Sequence, residues 1–169
     1  MAGKKYKTLV GGKETLVRSS DASAGAANAG DIVSLNSQGQ IDSSMLPDAD
    51  VSNVVSFENL VAGDYVNLFL DGGVIKARKA DNSNGRPAHG YVKDTVTAPA
   101  AINVFYESAN SNLSGLTIGG RVYLGTTGSV IQTPLDIDDV LNDGKIHQYL
   151  GIAVSVTEVN TDIEDCVTI

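Results

Sequence analysis

The chain of 169 residues fits one ordinary domain with a short appendage, and at this size it can bury a core without metal or disulfide staples. One cysteine, Cys166, can close no internal bridge and build no zinc site, and twelve basic against twenty acidic side chains, net −8, argue against the dense basic surface of a nucleic-acid binder. With no tryptophan and only 5% aromatics, platforms for stacking bases or sugars are scarce as well.

The start, MAGKKYKTLVGGKETLV, is charged but lacks the continuous apolar core of a secretory signal, and no run approaches the roughly 18 apolar residues of a membrane span. The expectation is a soluble, unexported chain with no membrane partner. Lys4, Lys5, Lys7, Lys13 and Arg18 face only Glu14 in the first 18 residues, a net +4, whereas from Asp136 onward eight carboxylates face only Lys145, a net −7. Ends of opposite sign attract each other or meet complementary surfaces on a neighbouring chain. Residues 19–30, SSDASAGAANAG, can bury little and read as a linker. In GDIVSLNSQGQIDSSMLP, Ile32 or Val33 begins a small strand, Gly39 turns the chain, and Met45 and Leu46 form an anchor before Pro47. These features predict an extended N-terminal arm over 1–50 and a β-domain over 51–169.

Beyond Val51 apolar residues alternate with polar ones, the period of half-buried strands. In DYVNLFLDGGVIKARKA, two alternating runs meet at Asp71-Gly72-Gly73, a strong hairpin signal because glycine takes positive φ without a Cβ clash. Ile75 and Ala77 are assigned to the core side of the second run, Lys76 and Arg78 to the other. A turn-rich loop over 81–87 leads to a short strand at 89–92, and a further strand is expected at 102–106. A second hairpin joins 121–124 to 129–132 through GTTG, strand character returns over 147–156, and 166–169 can form an edge strand. Only 135–141, LDIDDVL, offers about two turns of helix. The class is all-β, a small β-barrel or β-sandwich built from hairpins and preceded by the arm. Irregular spacing of the Gly-opened hairpins disfavours solenoids and propellers.

Chemistry is sparse. His89 and His147 are the only histidines and share no metal-binding spacing, so each reads as a strand residue hydrogen-bonded at its tip. G-x-S-x-G and the phosphate-cradling glycine motifs are absent, and Glu164 and Asp165 beside Cys166 disfavour a thiolate. The acidic run DIDDVLNDG lacks calcium-loop spacing and reads as a capped short helix followed by a turn. No catalytic, metal or cofactor-binding residue is assigned, and the expectation is a non-enzymatic protein without a cofactor.

GDIVSLNSQGQIDSSMLP resembles an N-terminal segment of tailed-phage virion proteins, in which a strand, a glycine turn and a D-[AS]-S-[ML]-L-P element precede a β-domain. The stretches GDYVNLFLDGGVIKARKADNSNGRPAHGYVKD, INVFYESANSNLSGLTIGGRVYLGTTGSVIQTP and YLGIAVSVTEV are similar to the β-domain of bacteriophage head decoration (cement) proteins and some head fibres. The resemblance implies a viral structural protein, made in the host cytoplasm and placed on the capsid exterior of the virion. There it would bind the major capsid protein, commonly as a homotrimer, and stabilise the shell, with no direct contact to nucleic acid. The arm cations Lys4, Lys5, Lys7, Lys13 and Arg18 are the expected capsid contacts. The alternative is a head- or tail-fibre adhesin module that meets a receptor through exposed loops such as 81–87 and 108–114.

Overall fold

A computed structural model describes residues 5–46 and 51–169. The chain divides into two compact units, Met1–Ala49 and Asp50–Ile169.

The first unit corrects the expectation of an extended arm. β1 (Lys5–Val10) and β2 (Lys13–Arg18) form an antiparallel hairpin turned by Gly11 and Gly12, both at positive φ. The same logic that builds the later hairpins operates here, since KYKTLV and KETLVR are β-prone runs flanking a Gly-Gly turn. Residues 19–46 are mostly irregular, with short 3₁₀ turns at Gly25–Asn28 and Ser43–Met45. The small strand expected at Ile32 or Val33 is a single parallel bridge between Ser20 and Val33. Leu46, expected as an anchor, is exposed.

The second unit is all-β. β3 (Val51–Ser56), β4 (Tyr65–Asp71), β5 (Val74–Lys79), β6 (Gly90–Val92) and β7 (Ala101–Phe105) close a barrel in the order β3-β5-β4-β6-β7. Only β3 and β5 pair in parallel. Downstream come β8 (Ala109–Asn110), β9 (Arg121–Leu124), β10 (Val130–Ile131), β11 (Ile146–His147), β12 (Tyr149–Ala153), β13 (Val159–Thr161) and β14 (Val167–Thr168). Five of these form a second sheet, β10-β9-β12-β13-β8, while β11 pairs with β14.

Two cores follow from this layering. Leu60, Val66, Ala77, Val92, Ile102 and Val104 fill the barrel. Tyr65, Tyr91 and Phe105 point out of it and pack with Val122, Leu124, Leu150 and Val159 of the second sheet. Tyr65 and Val66 are therefore both fully buried although they sit on opposite faces of β4. Strand alternation supplies two faces, and here each face finds a cover.

Two expectations for the β-domain fail. Ile75 is 47% exposed, because the register of β3 on β5 begins only at Lys76 and leaves the hairpin tip without a third strand. The helix expected over 135–141 is reduced to a 3₁₀ turn at Val140–Asn142. Asp136 and Asp139 explain this: their carboxylates accept from the backbone N–H of Asp138 and Leu141 at 3.0 Å each, competing with helical hydrogen bonding.

Candidate functional site

The sequence placed five cations in one contact set. Lys4 lies outside the described residues. The antiparallel register divides the other four. Lys5 stands opposite Arg18, Lys7 opposite Leu16, and Leu9 opposite Glu14, so these six share one face of the hairpin. Lys13 falls on the other face with Tyr6, Thr8, Thr15 and Val17. Every side chain of the first face is exposed, including Leu9 and Leu16. Lys7 Nζ meets Glu14 at 2.7 Å, but both groups are about 70% exposed, and such a pair contributes little. Lys5 and Arg18 are like charges directly across the ladder, a destabilising arrangement that an anionic group placed over them would relieve. This face thus offers cations interleaved with two uncovered leucines.

The loops proposed for a receptor are more tightly held than their composition suggests. In 81–87, Asp81 is buried; its Oδ1 accepts from the Ser83 N–H (2.9 Å) and hydroxyl (2.7 Å), and its Oδ2 from the Thr127 N–H (3.1 Å). Burial alone would raise the carboxyl pKa, but these bonds and the nearby Arg86 charge outweigh it and hold the group below the ordinary aspartate value. Asn82 is also buried and donates from Nδ2 to the Leu124 carbonyl at 2.8 Å. In 108–114, buried Asn110 donates to the Gly63 carbonyl at 3.0 Å. The exposed positions of the two loops are Ser83, Asn84 and Gly85 in the first and Ser108, Ser111, Asn112 and Ser114 in the second.

A groove of about 930 Å³ opens beside the barrel, with Leu68, His89 and Tyr106 on one side and Gln148 and residues 160–166 on the other. Sequence reading missed it, since its two walls come from segments more than forty residues apart. His89 Nδ1 accepts the Leu68 N–H at 2.9 Å, which places the proton of the neutral ring on Nε2, and burial lowers its pKa below the usual histidine value. That bond matches the sequence expectation for His89. His147 departs from it: its Nδ1 is buried with no partner among the described residues, and the ring lies 4.8 Å from that of Tyr123. Cys166 is exposed at the groove and is a free thiol. No group of three or more His, Cys, Asp or Glu among the described residues is arranged to hold a metal ion, and no helix of the described residues is long and apolar enough to cross a membrane.

In comparisons with known proteins, no family model and no curated protein matches the chain.

Proposed function

We propose that the chain is a structural protein of a tailed-phage virion and, within that class, a decoration protein that binds the major capsid protein on the outside of the head as a homotrimer. The resemblance of residues 30–47 and of the β-domain segments motivates the class. The single observation that carries the role is the exposed hairpin face, with Lys5 across from Arg18, Lys7 across from Leu16, and Leu9 beyond them across from Glu14. A two-stranded ribbon is marginally stable by itself in water, so a covering surface that is acidic and partly apolar would supply both charge neutralisation and burial. Lys13, on the opposite face, then serves as a peripheral contact. Repetition on a lattice converts a modest contact per copy into durable attachment.

The test is binding of full-length chain and of a Lys5→Gln, Lys7→Gln, Arg18→Gln triple variant to purified, undecorated heads at several salt concentrations. The reading requires salt-sensitive binding of the parent at many copies per head and its loss in the variant. Undiminished binding by the variant removes the hairpin from the reading, and parent protein confined to a few copies at one vertex or at the tail replaces decoration with the fibre reading, for which the groove beside His89 is the feature to examine.

A further inference from the structure

Loop 81–87 holds the chain's one Asn-Gly pair, Asn84-Gly85, above an anchored base. At that base the Asp81 N–H donates to the Arg86 carbonyl at 2.8 Å, and the Arg86 N–H returns a bond to the Asp81 carbonyl at 3.3 Å. The buried Asp81 carboxylate ties the base to Ser83 and Thr127 as well. Nothing comparable holds the apex. Asn84 and Gly85 are both exposed, Gly85 sits at φ +72°, and a Cβ on it would meet no atom within 4 Å.

Two buried asparagines show by contrast what leaves Asn84 open to reaction. Asn82, in the same loop, spends its Nδ2 on the Leu124 carbonyl at 2.8 Å, and the N–H that follows it, that of Ser83, donates to Asp81 Oδ1 at 2.9 Å. Asn142 donates from Nδ2 to the Asp136 carbonyl and accepts from Lys145 Nζ at Oδ1, while the Asp143 N–H donates to the Val140 carbonyl. In both, the side-chain amide and the next backbone nitrogen are engaged. At Asn84 neither is: the side chain has no hydrogen-bond partner among the described residues, and the Gly85 N–H donates to none.

We infer that Asn84 is a site of self-modification, in which the Gly85 backbone nitrogen deamidates the side chain with water as the only co-reactant. The nitrogen loses its proton to hydroxide and attacks Asn84 Cγ, so a C–N bond forms and closes a five-membered succinimide. Nδ2 takes up a proton and leaves as ammonia. Water then opens the ring at Cγ to give an aspartate, or at the main-chain carbonyl to give an isoaspartate. One water enters, one ammonia departs, and nothing is oxidised or reduced. An attacking group already next door in the chain removes the cost of bringing two reactants together, and glycine adds no side chain to hinder the approach. The product adds one negative charge to a chain of net −8, at an apex whose loop otherwise carries only Asp81 and Arg86 as charged groups. The isoaspartate form also lengthens the turn by one carbon. A partner that reads this apex therefore meets an amide in new protein and an acid in aged protein. The site is separate from the N-terminal hairpin and does not rest on the decoration reading.

The test is incubation of the folded full chain at mildly alkaline pH, with peptide mass spectrometry to follow each asparagine and isoelectric focusing to follow charge. One acidic form should accumulate, faster as pH rises, with the change confined to Asn84. Conversion there should be at least roughly tenfold faster than at Asn82 or Asn142. Asn84→Gln should produce no acidic form over the same period at an unchanged melting temperature, because its longer side chain closes a six-membered ring less readily. The same incubation in urea separates the fold from the local sequence: Asn82 loses its hydrogen bonds there and should speed up, while Asn84 changes little. An Asn84 that converts in urea but stays intact in the folded chain overturns the inference, because the turn then locks the amide away. Equal rates at Asn82 and Asn84 in the folded chain, or an acidic form that persists in Asn84→Gln, overturn it too.

Discussion

Gln148 pairs with Ala88 as a neighbouring strand would: its Oε1 accepts the Ala88 N–H at 2.7 Å and its Nε2 donates to the Ala88 carbonyl at 3.0 Å. The same Nε2 donates to the Glu164 carbonyl at 2.9 Å, so one buried side chain ties the entry to β6, the start of β12 and the tail together. These bonds form the back of the groove that His89 and residues 160–166 enclose.

Replacing Gln148 with Leu strands the Ala88 N–H and C=O in a buried place, and each buried group left unsatisfied costs about 1–3 kcal/mol. We expect Gln148→Leu to lower stability by about 2–4 kcal/mol, read as a drop in the denaturant midpoint at constant slope. A change under about 0.5 kcal/mol would show that water replaces the clasp.

Asp81 accepts at both carboxylate oxygens, so Asp81→Asn must point an amide N–H at another donor. A loss of about 1–3 kcal/mol at neutral pH is expected. Because its pKa is depressed on folding, Asp81 contributes stability that is fully present above the unfolded value near 3.9 and is lost as pH falls toward the lower folded value. The gap in melting temperature between parent and variant should therefore narrow below about pH 4. A gap independent of pH down to acid unfolding would contradict the assignment.

His89 is kept neutral by burial and by accepting the Leu68 N–H, so the unfolded chain binds its proton more readily than the folded one. Stability from this group is complete above the unfolded value near pH 6.5 and declines as pH falls through the window below it. His89→Gln should flatten the stability profile between about pH 5 and 7. An unchanged slope there would assign the dependence to another group.

Gly151 adopts φ +143° at the bulge where the register of β12 on β9 shifts, and a Cβ there would strike the Asn160 carbonyl on β13. Gly151→Ala should cost more than the about 1–3 kcal/mol of backbone strain alone, since two paired strands must also separate. Amide exchange should quicken along β12 and β13 while the barrel strands stay protected, and uniform protection would refute this local account.

The hairpins were largely legible because their signals are local. The alternating run from Tyr65 to Lys79 around Gly72-Gly73, and that from Arg121 to Ile131, form the ladders expected of them. KYKTLV-GG-KETLVR carries the same signal, and the hairpin it forms stands where an extended arm is the sequence expectation. The cations of the candidate site were countable from composition. Their division was not, since placing Lys5, Lys7 and Arg18 on one face and Lys13 on the other required the strand register.

By itself the sequence determined the all-β class, the turns that glycine makes possible, and a charge distribution that puts cations at one end and carboxylates at the other. Tertiary structure decided what each strand face meets. Period-two alternation defines two sides of a strand without saying which finds a neighbour: Tyr65 and Val66 are both covered because a barrel lies on one side and a sheet on the other, whereas Ile75 is bare because its strand outruns its neighbour. Groove and clasp arise the same way, from segments far apart in the chain whose approach no local pattern encodes.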